Sequence, residues 1–356
     1  NPNITGGSGE PTQWGVGYTG TSQFNPCYLA QSFMLDDDSI QNADVAVTDI
    51  LDAFTLGTNG SQFTPKSDAA IAALATTAGG DSFCLDFANS ADLGNDISSN
   101  NNDFTATSMT AVNQTGSSPS SAFCTWNPLR VNTQTQTFAE GNLRFSSTQT
   151  STNPAATGNY GVSSGKFYWE VFVVAQGNTS NILGICDTAA GLEDDTTALY
   201  ASALMYGYEF AGTKRNNNSS ASYGDSITTG DIVGVALDMD NGGVYFSKNG
   251  TFQASGDPTS GASLTNAAFT GLNSAGSGVF QPYYLAYSSG DGVANFGQSP
   301  TFNGQTTAGG NTDANGRGNF KHSVPSGYTA LTSANITEPS YQGIDYFAPT
   351  LYEGNG

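Results

Sequence analysis

The run Gly230-Asp-Ile-Val-Gly-Val-Ala-Leu-Asp-Met-Asp-Asn-Gly-Gly-Val-Tyr-Phe-Ser-Lys-Asn-Gly-Thr-Phe252 constrains the fold more than any other feature of this chain. Asn241-Gly242 and Asn249-Gly250 suit the positive φ angles of tight hairpin turns. They divide the run into a strand over 232–240, a second over 244–248 and a third beginning at Thr251. A meander of antiparallel strands with such short reversals needs a second layer to bury its apolar face.

The flanking sequence supplies that layer. Residues 167–174 alternate Phe167, Trp169, Val171 and Val173 against Tyr168, Glu170, Phe172 and Val174. Being apolar on nearly both faces, this strand is expected at the centre of a sheet. Shorter strands are expected over 181–186, 206–210, 282–287 and 293–296. Residues 27–34 and 81–87 are strand-like, and 104–112 suits a further short strand. The one convincing helix is 67–76, with Ser67 as its cap, Asp68 at its positive end and Gly79-Gly80 as its stop. The fold expected is all-β, a two-sheet antiparallel β-sandwich with one short helix. It requires Trp169, Val235 and Phe246 to share one dry interior.

Composition narrows the alternatives. Charged residues are 11 % and glycine numbers 44 of 356, which excludes a coiled coil or helical bundle. No apolar run reaches the ~18 residues of a membrane helix, so no membrane insertion is expected. Aromatics at 11 % set the chain apart from disordered sequences. The net charge of −21 repels phosphate backbones, so nucleic acid is not an expected partner.

Chemistry-bearing residues are sparse. The single histidine, His322, excludes a triad or multi-histidine metal site and reads as a solvated loop residue. Cys27, Cys84, Cys124 and Cys186 match no zinc spacing and read as partly buried thiols, with a Cys27–Cys84 bridge open if their strands pair. Acidic clusters occur at 36–38, at 193–195, at Asp238 with Asp240, and at Asp86, Asp92, Asp96 and Asp103. Solvated turns explain them most simply. Two acids set ~5–9 Å apart are the requirement for glycoside hydrolysis. Calcium takes six to eight oxygens from irregular loops. Asp92, Asp96 and Asp103 form the calcium candidate, since Asn and Asp recur between them, and no other cofactor and no catalytic residue is expected. Tyr200, Tyr206, Tyr208 and Tyr223 flank polar loops and form the candidate surface for a glycan or protein partner. Packing inside the sandwich is the alternative for them.

Gly165-Lys-Phe-Tyr-Trp-Glu-Val171, Gly230 to Asp238, Val244-Tyr-Phe-Ser-Lys-Asn-Gly250, Pro282-Tyr-Tyr284 and Ala294-Asn-Phe-Gly297 together resemble a SPRY domain spanning about 126–302. That resemblance implies a bent two-sheet sandwich that binds partners through loops at one end and carries no catalytic residues. The segment 81–104, Asn127-Pro-Leu129, Glu140-Gly-Asn-Leu143, 325–331 and 334–339 resemble large tailed-bacteriophage virion proteins. This implies a fibre or surface-decoration subunit on the virion surface, with a partial laminin-G-like region ahead of the SPRY-like domain, and so an all-β chain of two concanavalin-like or jelly-roll antiparallel sandwich regions. The domains expected are 1–122, 123–302, and a linker with the start of a further β-element over 303–356. The start at Asn1 and the ending Tyr352-Glu-Gly-Asn-Gly356 suggest a piece of a longer polypeptide. Expected partners are other virion proteins, a host-surface glycan and further copies of the chain. A polysaccharide depolymerase using an acidic pair and a secreted cellular adhesin are the alternatives.

Overall fold

The computed structural model describes residues 32–35, 67–78, 80–89, 91–107, 116–117, 121–130, 136–150, 154–190 and 201–336. Near the N-terminus, β1 (Ser32–Met34) pairs antiparallel with β2 (Phe83–Leu85), and α1 (Asp68–Ala78) packs Ile71, Ala72 and Ala75 against Cys84. Ser67 caps α1 as expected, its Oγ accepting the N–H of Ala70 at 3.4 Å. Residues 104–107 are not in a strand; the remainder of the segment expected to be one lies outside the described residues, as does everything after 336.

The main body is two antiparallel sheets. The first contains β5 (Ala155–Thr157), β7 (Ile182–Asp187), β8 (Met205–Glu209), β9 (Thr213–Asn216), β10 (Ser219–Ser222) and β15 (Phe280–Leu285), ordered β10-β9-β8-β7-β15-β5. The second contains β3 (Gln136–Ala139), β4 (Arg144–Ser147), β6 (Lys166–Ala175), β11 (Ile232–Asp238), β12 (Gly243–Lys248), β13 (Thr251–Phe252) and β16 (Asp291–Asn295), ordered β13-β12-β11-β6-β16-β4-β3. Two short strands extend it: β14 (Phe269–Thr270) beside β12 and β17 (Thr329–Ala330) beside β6. The all-β class holds, with a single described α-helix.

The meander forms as its Asn-Gly turns require. Val235 lies opposite Trp169 on one side and Phe246 on the other. All three side chains are buried, in one core. Cross-strand partners point to the same face, so this row is the interior of the second sheet. Tyr208 reaches it from the first sheet, stacked on Phe246 with ring centroids 5.8 Å apart.

The opposite face of the second sheet is also covered. Tyr168, Glu170 and Phe172 point away from the core row, toward residues 302–336. Phe302 meets Phe172, Phe320 meets Tyr168 edge-on, and β17 runs parallel to β6. The stretch expected to be an extended linker is therefore a packed strap over residues 303–336. The reason lies in β6 itself, which is apolar on both faces and would leave Tyr168 and Phe172 wet without a cover. The strap also returns to the start of the body: the Cys124 N–H donates to Leu331 O at 2.9 Å and the Ser333 N–H to Ala122 O at 2.8 Å.

Candidate binding rim beside strands β8 to β10

The acidic loop shows why acids recur there. Asp86, Asn89, Asp92 and Asp96 each accept, through Oδ1, the N–H two residues ahead. This is the Asx-turn, for which short polar side chains are chosen. Asp96 goes further, accepting from the N–H groups of Cys84 and Asn102 and from the Ser98 hydroxyl. Burial alone pushes its pKa up, but these donors outweigh burial and hold it below the ordinary value of 3.8. Asp103 accepts the N–H of Asp96 at 2.9 Å. Asp92, Asp96 and Asp103, the calcium candidates, thus turn oxygens to backbone N–H groups, and no group of three or more His, Cys, Asp or Glu placed to hold a metal ion occurs among the described residues.

The tyrosine expectation divides. Tyr200 lies outside the described residues. Tyr208 and Tyr223 are core residues rather than surface ones, their rings 5.4 Å apart and both against Phe246. Their hydroxyls are spent inside: Tyr208 donates to Asp225 O, and Tyr223 Oη accepts the Phe246 N–H at 3.3 Å. Burial raises the Tyr223 pKa to about 12. Flanking a polar loop does not decide exposure: Tyr206 and Tyr208 share one face of β8, and only Tyr206, nearer the strand's start, is left half-buried.

Tyr206 alone stays half-buried at a rim. Its ring meets Phe269 at 5.2 Å and Phe280 at 5.7 Å, both edge-on. Burial, and secondarily the Asp187 carboxylate, raise its pKa. Lys214 on β9 reaches across to the other sheet: its Nζ donates to Ala268 O at 2.7 Å and lies 5.4 Å from the Phe269 ring centre. Next to it, Arg215 pairs with Glu209 at 2.7 Å. Asp187 fixes the neighbouring loop by accepting the N–H and hydroxyl of Ser277. The β9–β10 hairpin that carries the two cations turns at Asn217-Asn218, both at positive φ (49° and 55°). Sequence reading found Tyr206 but passed over Lys214 and Phe269, because strands from two sheets bring them together and neither sits in a motif. Lys214-Arg215 was legible only as the sole adjacent basic pair in an acidic chain.

His322 is half-buried rather than solvated. Its backbone N–H donates to Glu170 Oε1 at 2.8 Å, and its ring abuts the Gly250 turn, where an added Cβ would lie 2.7 Å from Nδ1. Desolvation, with Lys321 adding to it, lowers its pKa. Cys84, Cys124 and Cys186 are buried free thiols; Cys27 lies outside the described residues. No described helix is long and apolar enough to cross a membrane.

Parts of the chain are similar to known proteins. Two curated proteins named ATP-dependent RNA helicases align with a stretch of it. The DDX1 protein of Xenopus laevis is 36 % identical over 92 residues, 25 % of this chain. The Ddx1 protein of Drosophila melanogaster is 31 % identical over 86 residues, 24 % of this chain. The chain spans only 11 % of the length of either relative. Among solved structures, the SPRY domain of human HERC1 is 20 % identical, covering 48 % of this chain and 96 % of its own, with a TM-score of 0.36. Residues 166–299 match the SPRY domain family.

Proposed function

We propose that this chain is a non-enzymatic protein-binding module that meets its partner at the rim built by Tyr206, Lys214 and Phe269. The carrying observation is Lys214, which bridges the two sheets and sets a cation beside half-buried rings. Half-buried aromatics next to a cation are the side chains that dominate protein interfaces. A rigid sandwich holding such a rim is the arrangement recognition surfaces favour.

The setting we propose is the surface of a tailed-phage virion, with the chain a fibre or decoration subunit present in repeated copies. The resemblance of residues 81–104, 127–129, 140–143, 325–331 and 334–339 to virion proteins supports it. Repetition would supply avidity to a weak single site. Its partners there would be neighbouring virion subunits.

Selection of a displayed random-peptide library on the immobilised chain tests the binding reading. Enriched peptides should lose about tenfold or more in affinity on Tyr206→Ala or Phe269→Ala, as interface aromatics do. Failure to enrich any sequence, or enriched peptides indifferent to both substitutions, would overturn it. Gold-labelled antibody against the chain should decorate intact phage particles that encode it; unlabelled particles would refute the virion setting.

A further inference from the structure

We infer that the open edge of β10 takes an extended, carboxylate-rich polypeptide segment as an added strand. This rests on the protein-binding reading above and narrows the partner to one chemistry. Among the described residues β10 is the last strand of its sheet, and all four of its residues, Ser219 to Ser222, are exposed. The two-residue turn makes Asn216 with Ser219, and Lys214 with Ala221, the hydrogen-bonded pairs of the hairpin. The N–H and C=O groups of Ser220 and Ser222 therefore face the open side.

Exposed strand edges are normally blunted by charge, proline, a bulge or a cover. β10 has neither charge nor proline, and its register with β9 is unbroken. The far edge of the same sheet is treated differently. There β5 is buried, and Thr157 O accepts the N–H of Asn127 at 2.8 Å. On the second sheet β13 is two residues long and runs straight into a 3-10 turn.

Charge selects the occupant. Residues 213–222 carry Lys214 and Arg215 and no carboxylate, in a chain of net charge −21. Within the hairpin Arg215 is paired with Glu209, as Arg144, Lys166 and Lys248 are paired with acids elsewhere. Among the described residues Lys214 has no carboxylate within ion-pair distance. Its acceptor is a carbonyl. Ala221, the partner of Lys214 across the hairpin, is small, so nothing tall stands between an added strand and Lys214. Two strand spacings, roughly 10 Å, separate the backbones, within the combined reach of lysine and glutamate. A second copy pairing β10 to β10 would instead bring two basic hairpins together on two chains of −21 each.

The test uses the full chain and a fluorescent peptide alternating glutamate and threonine, with a glutamine–threonine peptide as control. The glutamate peptide should bind, protect the Ser220 and Ser222 amides from hydrogen exchange, and lose affinity as salt rises. Ser220→Pro and Ser222→Pro remove outward N–H groups and should cost about tenfold or more. Lys214→Gln should cost about threefold and flatten the salt dependence. The proposal falls if the glutamate peptide does not bind, binds no better than the glutamine peptide, or leaves the Ser220 and Ser222 amides unprotected. It falls equally if concentration-dependent dimerisation is lost on Ser222→Pro, which would give the edge to a second copy. Selected peptides that depend on Tyr206 and Phe269 but not on Ser220 or Ser222 would sink strand addition and leave the binding module standing.

Discussion

The Glu170 carboxylate accepts the backbone N–H of His322 at 2.8 Å and of Lys321 at 2.8 Å, so the central strand holds the strap by a fully buried acid. The Tyr168 hydroxyl donates to the same carboxylate at 3.0 Å. Three donors aimed at one buried carboxylate make a clamp whose parts depend on each other. A buried acid without donors is costly, and buried donors without an acceptor are costly too.

Removing the acid should therefore be severe. Glu170→Ala orphans two strap N–H groups and the Tyr168 hydroxyl, and should cost about 3–5 kcal/mol of stability. Glu170→Gln keeps an acceptor oxygen and should cost less than half as much. Urea unfolding of the two variants measures the ratio. Equal losses would refute this, since glutamine keeps both an acceptor oxygen and the side-chain volume that alanine removes.

The same clamp gives a pH signature. Burial raises the Glu170 pKa above its ordinary 4.5, and the N–H donors from Lys321 and His322 offset it only in part. A carboxyl whose folded pKa exceeds its unfolded one binds protons more tightly in the folded state. Its contribution to stability is fully present below the unfolded pKa and falls as pH rises through the folded one. Wild type should accordingly lose stability relative to Glu170→Gln as pH climbs from about 4 toward neutrality. Thermal melts of both proteins across that range provide the check; a wild-type advantage over Glu170→Gln that grows as pH rises would reverse the sign.

The strap's apolar half can be probed separately. Phe320 is fully buried against Tyr168, with ring centroids 5.4 Å apart. Phe320→Ala should cost about 3–5 kcal/mol, as a buried aromatic does. A loss below about 1 kcal/mol in denaturant unfolding would show that the strap is not integral to the cooperative unit.

How far the sequence revealed this arrangement follows from what periodicity encodes. The row Trp169, Val235, Phe246 was legible because alternation fixes faces and Asn-Gly turns fix register. The second buried face of β6 was legible as apolar, yet its cover was not. The strap is Gly/Asn/Thr-rich, and its anchors, Phe320 and Tyr328, are scattered without a period. Glu170 looked like an ordinary polar position, since sequence cannot show two N–H donors arriving from about 150 residues away. The Asp92 to Asp103 loop reads two ways for a related reason: one residue type serves both turns and metal ions, and spacing alone does not separate them.

Thiol reactivity should be nearly absent in the folded protein at the described cysteines. Burial pushes Cys124 and Cys186 up to about 12 and Cys84 up to about 11. The thiolate is the reactive form, so alkylation of these three at neutral pH should track unfolding. Mass-spectrometric mapping after iodoacetamide, with and without urea, resolves each site. Fast native labelling at Cys124 or Cys186 would contradict their placement in the core.

Gly234 offers a last test of how tightly the second sheet is built. It sits on β11 opposite Glu170, and an added Cβ would overlap Ser247 Oγ and lie 2.8 Å from the Tyr168 hydroxyl. The Ser247 hydroxyl is short and can rotate, but Tyr168 is held by its bond to Glu170. Gly234→Ala should therefore displace the Tyr168 ring and disturb the clamp, costing about 1–3 kcal/mol through overpacking. Combining it with Tyr168→Phe, which removes the clashing oxygen, should recover part of that loss, so the two changes should be non-additive. Strict additivity in a double-mutant cycle would show that the glycine is not required by the tyrosine hydroxyl.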